Sequence, residues 1–327
     1  MGALNAAGLA GWTPVRIYAG AAEPVVEWAL VGEPFADPFF EQTADRAMRH
    51  PFNELFARRT PMSELEAAQA SDPGLAPSGF VFHLSRCGST LVAQMLAGLH
   101  TAVVISEAQP VDALLRLRRH PTVRGQEEKL ARWLRALVSA LGRPHAGERH
   151  LFVKFHAWHV LELPFIARAF PGVPWAFVFR EPRAVLRSQA KNAGAELMAG
   201  SIDPAYLGLD AAGAHALPQD EYGARVLAAF CAAALRHAGL ERSLFVDYAA
   251  LPGAVVSDVA PFFGITATGD EAERMRDAAR RDTKGAPDAV FRPEAKPRHE
   301  DGAADQLASR WLDGAYAELG ARARALR

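Results

Sequence analysis

The chain has 327 residues, half of them hydrophobic and 22% charged, with a formal net charge of −1 at pH 7. That length can bury a large core, and the near-neutral charge excludes the bulk basic field that general nucleic-acid binding needs. Two cysteines, Cys87 and Cys231, exclude a disulfide framework and offer no metal-ligand spacing.

The opening "MGALNAAGLAGW" has neither the basic start nor the long apolar stretch of a secretory leader, and no apolar run reaches 18 residues. The expectation is a cytoplasmic protein with no membrane span. Residues 1–70 read as a small α+β unit. "PVRIYAG" and "PVVEWALVG" form two short strands around "AAE", a hairpin pattern. "DPFFEQTADRAM" follows as a helix capped by Asp37, with Pro38 in its first turn. The turn-rich "SDPGLAPSG" at 71–79 then leads into the main domain, 71–327.

In that domain strands at 79–84, 102–106, 150–155, 174–180 and 243–248 alternate with helices at 89–99, 126–141, 159–170, 182–192, 220–238 and 252–263. Unbroken apolar strands such as "WAFVF" suit a parallel sheet covered on both faces, and the alternation predicts a three-layer α/β domain. Two stretches break the pattern. Residues 193–219 are rich in Gly, Ala and Pro and read as a mobile insertion. Residues 280–302 are polar and read as a long loop ahead of a final helix at about 303–326.

Three segments carry chemistry. In "FVFHLSRCGSTLV" (80–92) an apolar strand stops at Ser85-Arg86-Cys87-Gly88-Ser89-Thr90, and a helical pattern follows at once. A helix N-terminus presents unpaired N–H groups and the positive end of its dipole, so the segment suits an anion. It lacks the G-x-x-x-x-G-K-[ST] of a Walker loop, and Ala93 stands where a Cys-x5-Arg phosphatase loop needs arginine. An ordinary strand–turn–helix capped by Ser89 or Thr90 is the alternative. In "LFVKFHAWHVLELP" (151–164) Lys154 and His156 alternate at a strand end, which points both the same way past the C-terminal edge. His159 reads as a surface or capping residue, and Glu107, just past the 102–106 strand, either faces an acceptor or caps the next turn. In "WAFVFREPRAVLRSQ" (175–189) Arg180 at the strand tip and Ser188 in the following helix can bracket a second anion, whereas Arg183 and Arg187 fit a solvated helix face.

With those residues in view, the chain resembles the sulfotransferases that use 3′-phosphoadenosine 5′-phosphosulfate (PAPS). "SRCGSTL" resembles their 5′-phosphosulfate loop, and "FREPRAVLRS" their 3′-phosphate segment. Lys-x-His before "LP" resembles the segment bearing the catalytic base, and "LFVDYAALP" (244–252) the strand whose Tyr lies near adenine. The resemblance covers about residues 79–265. It implies a P-loop, nucleotide-kinase-like fold and PAPS as donor, with no metal required and a small-molecule or glycan acceptor. It implies that Arg86, Cys87, Gly88, Ser89 and Thr90 hold the 5′-phosphosulfate, that Arg180 and Ser188 hold the 3′-phosphate, and that Tyr248 lies near adenine. Lys154 and Arg86 would stabilise developing charge and His156 would act as base. Leu91 stands where many members have Trp, and the C-terminal R-K-G is absent, Lys284-Gly285 being its loose counterpart. A phosphotransferase of the same fold and a non-catalytic nucleotide-binding protein are the alternatives.

Overall fold

The N-terminal hairpin forms as its alternation predicts. In this computed structural model, which describes residues 6–20, 22–120, 123–191, 193–280 and 302–325, Trp12–Tyr18 (β1) pairs antiparallel with Val25–Leu30 (β2). The register slips between Pro14 and Arg16, where proline has no N–H to give the ladder. A third strand, Arg58–Pro61 (β3), joins β2 antiparallel. At four residues it is too short to show a period. Trp28 Nε1 donates to Thr60 Oγ1 across that pair at 2.9 Å. The helix after the β1–β2 hairpin runs from Phe40 to Met48 and is not capped by Asp37. The Asp37 carboxylate accepts instead from Thr43 Oγ1 at 2.5 Å and from Arg46 at 2.8 Å.

The five apolar runs of the main domain are Pro77–His83 (β4), Ala102–Ser106 (β5), His150–Lys154 (β6), Trp175–Phe179 (β7) and Ser243–Asp247 (β8). They form one sheet in the order β5-β6-β4-β7-β8, with every pair parallel. Helices surround it, so the fold is α/β. All five residues of β7 are buried, and Phe82 stacks on Phe155 with ring centroids 4.8 Å apart. From β4 the chain runs to β5 and β6 on one side and then to β7 and β8 on the other. That reversal makes the C-terminal edge beside β4 the topological switch point, the usual ligand position in open parallel sheets.

Three expectations change in detail. The stretch at 252–263 is a wide π turn over Val255–Val259 leading into a short Ala260–Phe262 helix, where Pro261 removes a ladder N–H. The 193–219 stretch folds into short turns and a helix, Ala211–Ala216, that Asp210 caps through the Gly213 N–H. The final helix is two, Gly302–Trp311 and Asp313–Ala325.

The N-terminal strands and helices share a continuous core with the main sheet. β1 lies against the Gln109–Leu117 helix, and the Met62–Ser71 helix lies on the Glu127–Leu141 helix. Among the described residues no helix is long and apolar enough to cross a membrane.

Candidate functional site

The loop after β4 turns through two left-handed residues, Arg86 at φ 60° and Gly88 at φ 82°. Glycine suits the second position twice over. It has no steric penalty at positive φ, and a Cβ there would lie 2.9 Å from the side chains of Tyr248 and Leu251. The Ser89–Ala97 helix starts with no side-chain cap and no acidic residue in its first turn. Ser89 and Thr90, alternatives as caps in the sequence, do not fill that role. The first N–H groups of this helix thus have no side-chain cap.

Around this loop the structure brings together most of the residues assigned to anions. Arg86 Nε donates to Ser188 Oγ at 2.8 Å. Arg180 Nη1 donates to the Arg86 carbonyl at 3.2 Å, and its guanidinium lies 4.4 Å from the centre of the Tyr248 ring. Gln189 Nε2 donates to Ser85 Oγ at 2.6 Å, a second tie between the loop and the Pro182–Lys191 helix. That helix begins cleanly because the Glu181 carboxylate accepts from the N–H groups of Arg183 and Ala184. Arg183 turns away to Asp313 and Asp305. It is a helix-to-helix ion pair, not simply a solvated face.

One strand away, Lys154 and His156 meet at Glu107. The Lys154 side chain is 1% exposed, its ammonium paired with the Glu107 carboxylate and 5.1 Å from the centre of the Phe39 ring. His156 Nδ1 lies 3.4 Å from Glu107 Oε2, and its side chain is one-third exposed. Glu107 is thus no helix cap. It holds a left-handed backbone, φ 55°, and its N–H donates to the Lys154 carbonyl at 2.7 Å. Burial works to protonate its carboxyl, yet Lys154, His83 and His156 outweigh that and hold its pKa well below the usual carboxylate range. Burial lowers the pKa of His156, and Lys154 and His83 push the same way against Glu107 and Asp112.

His159 is not on the surface. It is 1% exposed, with Nε2 3.1 Å from Asp112 Oδ1, and the Trp158 indole N–H donates to the same oxygen at 2.7 Å. Burial, against the pull of Asp112, drives its pKa down to about 4, so the ring is neutral. It meets His156 edge-on, with ring centroids 5.2 Å apart.

Asp112, Phe39 and His83 were not singled out in the sequence. Only His83 left a trace there, as the polar residue that ends an otherwise apolar strand beside the loop. Lys284 lies outside the described residues. An apolar cavity of about 390 Å³ between Leu186, Leu197, Gly223 and Leu307 has neither Lys154 nor His156 in its wall, and so is separate from this cluster.

No family model matches the chain, and no curated protein does. Solved structures do. The sulfotransferase domain from the curacin biosynthetic pathway is 13% identical with a TM-score of 0.41, over 72% of this chain and 98% of that one. Sulfotransferase STF9 from Mycobacterium avium is 13% identical with a TM-score of 0.44, over 84% and 83%. A sulfotransferase from Alicyclobacillus acidocaldarius is 15% identical with a TM-score of 0.43, over 76% and 95%. Strand order and parallel pairing, not these likenesses, define the fold.

Proposed function

We propose that this chain transfers a sulfuryl group from PAPS to a hydroxyl or amine on a small-molecule or glycan acceptor. The observation that carries this proposal is one convergence. Arg86, Ser188, Arg180 and Tyr248 gather around the loop after β4, with Lys154 and His156 at the tip of the adjacent strand.

The residues fit the donor. An uncapped helix N-terminus with no acid in its first turn, beside Arg86, suits the phosphosulfate end. The N–H groups of Cys87, Gly88, Ser89 and Thr90 and the two hydroxyls would hold it. Arg180 and Ser188 would hold the 3′-phosphate, and the Tyr248 ring would flank the base. When bound, the donor supplies an activated sulfuryl group and a phosphate leaving group.

The chain's own groups then have distinct tasks. Lys154, a fixed and buried cation, is aimed at charge that grows during transfer; one preorganised donor of this kind is typically worth about 3 kcal/mol. His156 is the base. The Glu107 carboxylate beside Nδ1 favours the tautomer protonated there, which leaves Nε2 to accept the acceptor's proton. The lowered pKa keeps the ring neutral, as a base must be. Holding donor and acceptor against these groups adds the proximity contribution.

Thermal unfolding with 3′,5′-bisphosphoadenosine, beside ATP–Mg and AMP, tests the donor. Ligand at 100 times its Kd adds about 2.7 kcal/mol of stability. A shift with bisphosphoadenosine that disappears in Arg180→Ala supports PAPS. A shift with ATP–Mg alone points to a phosphotransferase, and no shift at all removes the donor assignment.

A further inference from the structure

We infer that His83 is a charged positioning residue, an imidazolium that ties three strand tips together and holds Glu107, Lys154 and His156 in the arrangement proposed above. The inference rests on that site, but its geometry stands on its own. The side chain is 8% exposed. Its Nδ1 lies 3.1 Å from the Leu84 carbonyl oxygen, and its Nε2 lies 3.0 Å from the Phe155 carbonyl oxygen and 3.3 Å from Glu107 Oε1. Carbonyl and carboxylate oxygens only accept. A neutral imidazole brings a single N–H and would set its other lone pair against an oxygen. Two ring protons satisfy both sides, and a buried polar group left unmatched is costly.

The three oxygens belong to three parts of the site. Leu84 opens the anion-binding loop. Phe155 sits between Lys154 and His156 in the chain. Glu107 follows β5 and meets both of those side chains. One ring therefore fixes the loop, the peptide that carries the proposed base, and the carboxylate that orients it.

Its charge has a second effect. The groups facing it are Glu107 from the tip of β5, Lys154 from the end of β6 with His156 just beyond, and Cys87 from the loop. Burial opposes the charge, but hydrogen bonds to Cys87 and Glu107 outweigh it and raise the pKa to about 9, with Lys154 pulling the other way. Two cations, Lys154 and His83, then face one carboxylate. The surplus positive charge lies beside the loop assigned to the anionic donor. It also disfavours a proton on His156, whose pKa both cations lower.

Ring-nitrogen NMR of protein labelled with ¹⁵N-histidine tests this directly at pH 8. The expected result is two protonated nitrogens on His83 and one on His156. His83 is assigned in the unsubstituted protein through its coupling to the β4 backbone, so no variant has to fold. A His83 ring with one proton overturns the inference. In His83→Gln the titration midpoint of His156 should rise by about half a pH unit or more, because a facing cation is gone. An unmoved midpoint in a folded His83→Gln chain would make His83 mere packing and also overturn it. A doubly protonated His83 in a protein that ignores bisphosphoadenosine would sink the donor assignment and leave the charge assignment standing.

Discussion

Arg86 donates its Nε proton to the Ser188 hydroxyl at 2.8 Å, although 102 positions separate the two residues. The bond joins the loop after β4 to the helix after β7, and so makes the two candidate anion sites one network. Arg180 strengthens the junction through the Arg86 carbonyl. If the donor spans it, the two residues are energetically coupled.

Arg86→Lys keeps the charge and loses the guanidinium fork. Calorimetry with bisphosphoadenosine should show affinity weakened on the order of tenfold, the value of one hydrogen bond to a charged group. Ser188→Ala should then cost about 1 kcal/mol less in the Arg86→Lys background than in the unsubstituted protein, because the Arg86–Ser188 bond is already lost there. Strictly additive losses would show that the two residues act apart.

For the proposed base, His156→Ala should lower turnover by about 10²- to 10⁴-fold, the usual value of a positioned general base. Binding of bisphosphoadenosine should be nearly unchanged, since His156 lies on the Glu107 side of the site and not on the Arg86–Ser188 side. Near-normal turnover with the true acceptor would end its assignment as base.

The β4–β8 sheet was legible because burial on both faces writes unbroken apolar runs, and turn residues bound them. The loop was legible because its polar residues are consecutive. The polar network beneath it was not. Glu107 meets Lys154 and His83 from sequence distances of 47 and 24 positions, and no spacing rule joins residues on different strands. Asp37 misled for a related reason: its carboxylate found Thr43 and Arg46 instead of a backbone N–H. His159 looked like a surface residue because its partner, Asp112, lies 47 positions away in the sequence. β3 gave no signal because four residues carry no period.

The Glu107–Lys154 pair makes a stability prediction. Lys154 is 1% exposed, so removing its carboxylate leaves a buried cation without a counter-charge. Glu107→Ala should therefore cost about 3–5 kcal/mol in denaturant unfolding. Adding Lys154→Met to that variant should recover part of the loss, because one of the two cations facing Glu107 goes with it. A double variant as unstable as the single one would show that the cost lies in packing or in the left-handed backbone at Glu107, not in the charge.

Histidines 83 and 159 should shape the pH dependence of stability from opposite sides. The pKa of His159 falls from 6.5 to about 4 on folding, burial being the main cause. Below 6.5 the unfolded chain takes up a proton that the folded chain refuses, so stability declines as pH drops from about 6.5 toward 4. The pKa of His83 rises from 6.5 to about 9 against the cost of burial, through Cys87 and Glu107. Its contribution is complete below 6.5 and is lost as pH climbs through about 9, because there the folded chain gives up a proton the unfolded chain has already released. Each limb amounts to a few kcal/mol at most, since a tenfold change in proton affinity is worth about 1.4 kcal/mol. Urea midpoints from pH 4 to 10 should trace a dome. The difference curve against His159→Phe should isolate the acid limb, and that against His83→Gln the alkaline one. An alkaline side equally steep with and without His83 would mean that some other group carries it, and that His83 is neutral in the folded protein.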